Sequence, residues 1–380
     1  MKSVVICFYL TFFFGFSNAQ LSKPDSNFFP IAVWLQSTKN AEAYKDLGVN
    51  MYVGLYRSLD SMQLLDLRRA GLKVMCSQDS FSLKYKSDNI IYGWTQEDEP
   101  DNAQWNSNTK QYDPCIDPKI IISRYLKIKQ KDPTRPVYLN LGQGVSYTGW
   151  VGRGSCTNKT DLYKSANFGY LSGCDIASFD IYPVNSNDNL ISGNLWYVAK
   201  VIDSLKAWSQ FKKPVWTWIE TTLIGKDSPR KPTPAEVKSE VWMAIIHGAK
   251  GIGYFCHSWN PYFADAAILR DEEMMKGVKE INRQVTALGS ILNSADSKNF
   301  AKVKAVNSAV PIDMLTKKVG NTHYIFAIGM RQESTKAIFT VKSGDVADVL
   351  GENRKIKIKN KTFNDSFDSC GVHLYRIISR

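Results

Sequence analysis

The chain lacks several features that would direct it to a cofactor or a metal. It has no CxxC pair, no glycine-rich phosphate loop and no nucleotide fingerprint. Its four histidines, His247, His257, His323 and His373, show no metal-ligand spacing. No catalytic metal and no cofactor are therefore expected. Domain repeats, low-complexity tracts and long coiled-coil heptads are also missing. What is there is a chain of 380 residues with 44% apolar content and only 7 cysteines, which excludes a disulfide miniprotein, a collagen-like fibre and a disordered tail. With 48 Lys plus Arg against 36 Asp plus Glu, the formal charge is +12. That balance would steer an anionic polymer towards the protein, while a neutral partner is equally compatible with it. Nothing points to nucleic acid.

The first residues read as a leader. Lys2 precedes an uncharged stretch from Val4 to Phe16, and the small residues Ser17 and Ala19 allow cleavage before Gln20. An uncleaved anchor would need about 20 predominantly apolar residues, so secretion is expected and stable membrane insertion is not. Loss of Cys7 with residues 1–19 leaves Cys76, Cys115, Cys156, Cys174, Cys256 and Cys370 in an oxidising compartment, enough for three disulfides. Cys115, Cys156 and Cys174 lie in loop-like sequence that a bridge could pin, whereas Cys76 and Cys256 read equally well as small buried residues of strands. Glycosylation sequons stand at Asn158, Asn360 and Asn364.

Eight apolar runs of strand length follow: Phe29–Leu35, Met51–Leu55, Leu72–Cys76, Ile90–Thr95, Pro136–Leu141, Ile176–Ile181, Val215–Ile219 and Gly251–Cys256. Helical periodicity fills the gaps at Ala41–Leu47, Met62–Ala70, Lys119–Gln130, Leu195–Trp208, Pro234–His247 and Glu272–Leu288. The link Ser77–Asn89 is short for a full helix, and the long link 140–173 carries glycine-rich material before a helix expected near Asp161–Tyr170. Eight alternations over residues 20–291 have the size and rhythm of a (β/α)8 TIM barrel. From residue 292 to 380 the pattern becomes short alternating strands, including His323–Ile328, Lys336–Val341, Lys355–Ile358 and Val372–Ile377. These predict a small antiparallel, sandwich-like β domain.

Barrel chemistry gathers at the carboxyl ends of the strands. Two of them end in acids: the fourth in Gln96-Glu97-Asp98-Glu99-Pro100, and the seventh in Trp218-Ile219-Glu220. Two carboxyl groups suffice for glycosidic cleavage, one donating a proton to the leaving oxygen and one meeting the oxocarbenium centre. A spacing of about 5–5.5 Å would favour retention and about 6.5–9.5 Å inversion. Glu97 and Glu99 share pleat parity, so the strand pattern alone leaves both open. Asp98 could bind a sugar hydroxyl, orient Glu99 or pair with a rim cation. Trp34, Tyr182, Trp218 and Trp259 offer flat faces for sugar rings, and Asn140 and His257 could orient hydroxyls.

With these residues in place, the chain resembles the retaining glycoside hydrolases of the clan A (β/α)8-barrel superfamily. The likeness rests on the acids after strands four and seven, the segment Phe179-Asp180-Ile181-Tyr182-Pro183, and a carboxyl-terminal stretch running from Val349-Leu350-Gly351-Glu352 to Gly371-Val372-His373-Leu374-Tyr375. It implies Glu99 as acid/base and Glu220 as nucleophile in a double displacement on an oligo- or polysaccharide. Many members have Asn-Glu where this chain has Asp98-Glu99, and that departure motivates the alternative of a noncatalytic carbohydrate-binding barrel.

Overall fold

The computed structural model describes residues 26–157 and 159–379. The expected leader, with Cys7, and the sequon at Asn158 lie outside the described residues.

Eight parallel strands close into a barrel: β1 (Ile31–Trp34), β2 (Met51–Val53), β3 (Lys73–Cys76), β4 (Ile91–Thr95), β5 (Val137–Leu141), β6 (Ile176–Asp180), β7 (Val215–Glu220) and β8 (Gly251–Phe255). Both faces of these strands are covered, which is why they read as continuous apolar runs. All five residues of β5 and all six of β7 are buried. The surrounding helices are α1 (Ala41–Asp46), α2 (Ser61–Ala70), α3 (Ser80–Lys84), α4 (Pro118–Lys131), α5 (Tyr197–Trp208), α6 (Pro234–Ile246), α7 (Glu272–Ala287) and α8 (Gly289–Leu292). Their starts are chemically specified. Asp60 and Gln63 form a capping box at α2, and Thr233 and Glu236 form one at α6 behind Pro234. Asp117 caps α4 with Pro118 following, and Asp271 caps α7.

The barrel interior departs from the usual filling of branched aliphatics. Trp216 and Trp218 point inwards with Met51, Met75 and Tyr138, and the neighbouring strand makes room for them. Gly251 pairs with Trp216 and Gly253 with Trp218. A Cβ on Gly253 would lie 2.0 Å from the Trp218 ring, and one on Gly251 2.5 Å from Trp216. Two glycines on β8 thus exchange side-chain volume for two indoles on β7.

The expected helix at Asp161–Tyr170 is absent. Three short 3-10 turns, Thr160–Leu162, Ser165–Asn167 and Tyr170–Gly173, carry the chain instead. A left-handed Phe168 and the close approach of Gly169 to the Leu162 carbonyl interrupt any longer helical run. Of the six cysteines, Cys115 and Cys156 are bonded, with Cα atoms 5.8 Å apart, while Cys76, Cys174, Cys256 and Cys370 are buried thiols. The capacity for three disulfides is therefore used once among the described residues.

After α8 come β9 (Ala301–Ala305), β10 (Ile312–Val319), β11 (Thr322–Gly329), β12 (Thr335–Val341), β13 (Val346–Val349), β14 (Arg354–Lys357), β15 (Thr362–Phe367) and β16 (Val372–Ile378). They form a three-stranded sheet, β9-β12-β15, and a five-stranded sheet, β10-β11-β16-β13-β14. Phe339, Phe363 and Tyr375 fill the space between the two sheets. The outer face of the larger sheet packs on α6: Phe326 lies 5.4 Å from Trp242, and the Ser239 hydroxyl donates to the Cys370 carbonyl at 2.8 Å. Asn360 and Asn364 are both exposed on this domain. Among the described residues no helix is long and apolar enough to cross a membrane.

Candidate active site

A cavity of about 310 Å³ opens at the carboxyl ends of the barrel strands. Asp98, Glu99, Asn140, Asp180 and Arg153 make one side of it, supplied by the ends of β5 and β6 and by the segments after β4 and β5. Aromatic residues make the other, chiefly Tyr56, Phe255, His257, Trp259 and Phe263 after β2 and β8. Trp34, Tyr182 and Trp218 also line the cavity. Every sequence-derived binding candidate therefore faces one space.

Glu99 is the acid most clearly presented to that space. Its backbone adopts φ +41°, a left-handed conformation unusual for a β-carbon residue. That backbone is held by its N–H donating to the Asn140 carbonyl at 3.1 Å and its carbonyl accepting from Asn102 N at 3.0 Å. The side chain accepts from Asn102 Nδ2 at 3.0 Å and pairs with the Arg153 guanidinium. Arg153 comes from the loop after β5. Its N–H donates to Asn102 Oδ1 at 2.9 Å, and the Cys115–Cys156 bond fastens this loop to the one that carries Glu99. Glu97, the other candidate of the same parity, points away: it is exposed and ion-paired with Arg124 at 2.8 Å.

Asp180, the last residue of β6, completes the acidic wall. Its carboxyl lies against that of Glu99. Burial, reinforced by the charges of Glu99 and Asp98, drives Asp180 well above the ordinary carboxylate range. Asp98 is pushed up to about 7 by the same burial and by Glu99. Asn140 joins the two aspartates: its amide nitrogen donates to Asp98 Oδ1 at 2.9 Å and to Asp180 Oδ1 at 3.2 Å, while Ser178 Oγ donates to its oxygen at 3.0 Å and fixes its orientation. With its amide committed in this way, Asn140 organises the acids rather than offering a free group to a hydroxyl. Behind this layer the buried Asp101, raised to about 6 by burial, receives Gly142 N at 2.8 Å and the Tyr163 hydroxyl at 3.0 Å.

Glu220 stands at the end of β7, but it is not among the residues that line the cavity. Its carboxylate is fully buried and accepts from Val184 N at 2.6 Å, Asn185 N at 2.8 Å and Asn185 Nδ2 at 2.5 Å. The carboxyl of Glu240 on α6 lies against it, and burial, with the charge of Glu220 beside it, drives Glu240 well above the usual range. Burial also raises Glu220 to about 7, against the pull of its donors. The expectation set Glu99 and Glu220 across one hollow; of the two, Glu99 lines the cavity and Glu220 is buried beside it. The amides after β6 and the helix after β7 draw Glu220 into the wall.

The aromatic side is a fan. Trp259 stacks on Phe255 at 5.9 Å and on His257 at 5.7 Å, and Phe263 lies 5.4 Å from Trp259. His257 is buried and hydrogen-bonds the Tyr56 hydroxyl through Nε2 at 2.6 Å; burial lowers its proton affinity and keeps the ring neutral. Trp218 forms part of the floor, edge-on to Trp34 at 5.1 Å, with its Nε1 donating to the Tyr138 hydroxyl at 2.7 Å. Sequence reasoning missed Arg153, Asp180, Gln104 and Phe263. Asp180 was within reach, since it alternates with the inward Ile176 and Ser178 on β6.

No protein-family model matches the chain, and no curated protein matches it. Solved structures do. A GH42 beta-galactosidase from G. stearothermophilus superposes with a TM-score of 0.59 at 8% identity, covering 93% of this chain and 98% of that one. An alpha-amylase from Geobacillus thermoleovorans, complexed with acarbose, gives 0.57 at 9% identity, with 93% and 99% covered. A GH30 endoxylanase from Clostridium papyrosolvens C71 gives 0.50 at 12%, with 92% and 96% covered. At these identities the likeness establishes the fold: a (β/α)8 barrel followed by a β domain, shared with these glycoside hydrolases.

Proposed function

We propose that the protein is a secreted glycoside hydrolase that cleaves O-glycosidic bonds of an oligo- or polysaccharide in the cavity at the barrel mouth. The observation that carries this reading is the contact between Glu99 and Asp180 on a wall facing an aromatic fan. Glycosidic cleavage needs a proton donor and a charge-stabilising carboxylate on one anomeric centre, and a sugar ring needs an apolar face beside polar groups. Both sets of groups converge here. The fold is also that of structures solved as a galactosidase, an amylase and a xylanase.

Within this reading the two acids divide the work by environment. Asp180 forms no ion pair among the described residues and burial drives it well above the ordinary carboxylate range, so it donates to the leaving oxygen and later takes a proton from water. Glu99, oriented by Arg153 and Asn102, attacks the anomeric carbon. Two carboxyls in contact would have to part to the about 5–5.5 Å of retaining acids when a sugar enters, a smaller movement than the roughly 6.5–9.5 Å that inversion requires, and retention is the reading we adopt. Glu220 becomes a structural residue.

The test presents soluble starch, xylan, galactan and their aryl glycosides to the mature protein and to folded Asp180→Asn, Glu99→Gln and Glu220→Gln. Asp180→Asn should lose turnover of natural glycans but keep it on aryl glycosides whose leaving group needs no proton. Glu99→Gln should lose both. Activity abolished in Glu220→Gln but intact in Asp180→Asn would restore the arrangement implied by the sequence. A wild type that binds these glycans without turning any over would support the noncatalytic alternative.

A further inference from the structure

We infer that the exposed pair Trp105 and Tyr112, on a hairpin at the rim of the barrel, is a stacking subsite for a further sugar unit of a saccharide chain whose reacting unit occupies the cavity. This inference rests on the proposed function and deepens it, because it makes the substrate a chain longer than the cavity holds.

The hairpin pairs Trp105–Asn106 with Gln111–Tyr112 in the link between β4 and α4. Trp105 is 55% and Tyr112 47% exposed, and their rings meet edge to face at 5.2 Å. Large aromatics gain stability by burial, so two held in water on a rigid support call for an occupant. The support is rigid for several reasons. Asn106 Nδ2 donates to Asp113 at 3.1 Å, and Asn106 Oδ1 receives Asn108 N at 3.0 Å and Thr109 N at 3.2 Å. Cys115, three residues beyond Tyr112, is bonded to Cys156. A Cβ on Gly154 would come within 2.6 Å of Ala103 and 3.4 Å of Tyr112, so the hairpin lies tightly against the loop that bears Arg153.

Continuity with the cavity identifies the occupant. Gln104, adjacent to Trp105, lines the cavity; its side chain donates to the Asp98 carbonyl at 3.3 Å and its carbonyl accepts from Asp113 N at 3.0 Å. The surface therefore passes from the acidic wall through Gln104 to the exposed rings without leaving one loop. A cavity of about 310 Å³ is at the low end of the roughly 300–1,000 Å³ of small-molecule sites, so it takes a short piece of a chain and the remainder must lie over the rim. Two rings set among Gln104, Asn106 and Gln111 make a small apolar face edged by amides. That composition suits the CH face and hydroxyls of a pyranose, and it is far smaller than the apolar area of a stable protein interface.

The experiment uses the full mature chain with Trp105→Ala, Tyr112→Ala and Trp105→Phe, and measures kcat and KM on whichever of the starch, xylan and galactan series the wild type cleaves, from disaccharide to polymer. Loss of one stacked sugar should raise KM for hexasaccharide and polymer about tenfold in Trp105→Ala, leave kcat and the disaccharide KM unchanged, and be largely restored in Trp105→Phe. An equal effect on short and long substrates, or none on either, overturns the inference while the glycosidase reading stands. A wild type that neither binds nor cleaves any of the three series rejects both. Sedimentation that shows a dimer lost in Trp105→Ala also overturns it, since the rings would then be a contact between copies.

Discussion

The carboxyl of Asp180 lies against that of Glu99, although they are 81 positions apart in sequence and one barrel strand, β5, stands between the elements that carry them. Closure of the barrel brings the ends of β4 and β6 together on either side of β5, and Asn140 on β5 ties Asp98 to Asp180. Three acids around one amide share fewer than three charges at neutral pH, because burial and mutual repulsion raise Asp180 and Asp98.

A pH profile follows from that coupling. The proton needed for donation leaves the cluster as pH rises, so kcat/KM should fall on the alkaline side, with Asp98 titrating near 7. Asp98→Asn removes a negative charge beside Asp180, which then releases its proton more readily. The alkaline limb should move to lower pH by roughly one unit, measured as kcat/KM on one aryl glycoside from pH 4 to 9. An unmoved limb would exclude Asp180 as the group that sets it.

The limits of the sequence are visible in the same residues. Strand runs such as Met51–Leu55 and Val215–Ile219 match β2 and β7 to within two residues, because burial on both faces leaves an unbroken apolar signature. Helix starts were legible wherever a cap preceded a proline, as at Asp117-Pro118 and Thr233-Pro234. Residues 160–173 were not, since 3-10 turns follow local contacts rather than any period. The site divides likewise. Position at a strand end is a local property and brought the acids after β4 to the barrel mouth, while the choice of Glu99 over Glu97 came from the family resemblance; the direction of the Glu220 carboxylate depends on Val184, Asn185 and Glu240, which belong to other elements. Arg153 reaches Glu99 only because a disulfide and Asn102 bring two loops together.

The Glu220–Glu240 pair makes stability depend on pH. Both carboxyls bind a proton more tightly in the folded chain than at the ordinary value of about 4.3. Their contribution is thus fully present below about pH 4.3 and is lost as pH rises through the folded value, about 7 for Glu220. Glu240→Gln supplies an amide that needs no proton to face Glu220. Thermal unfolding at pH 5, 6, 7 and 8 should show a flatter dependence than the wild type, with Tm raised at pH 8. An unchanged slope would mean that the pair is not protonated when folded.

The single disulfide closes a 41-residue separation between two rim loops. By loop-closure entropy such a crosslink is worth up to about 4 kcal/mol. The double variant Cys115→Ser/Cys156→Ser should lose up to that amount in urea unfolding, and either single variant should lose nearly as much, because the crosslink needs both. Since the bond clamps the Arg153 loop and not the strands, turnover should fall at temperatures where the barrel is still folded by circular dichroism. Coincident loss of the two would show that the clamp supports the whole barrel.

The exchange of volume between Gly253 and Trp218 can be isolated. The backbone of Gly253 is ordinary, so Gly253→Ala acts through packing alone: its methyl would lie 2.0 Å from the indole, within a barrel closed on all sides. Overpacking commonly costs about 1–3 kcal/mol, and this contact should reach the upper end or exceed it, because Trp218 is held by Tyr138 and edged by Trp34. Trp218→Leu in the same chain removes the obstructing ring. A double-mutant cycle should then give a coupling of at least about 1 kcal/mol, with Gly253→Ala far less damaging beside Leu than beside Trp. Additive losses would mean that the glycine is required by the strand itself and not by the indole opposite.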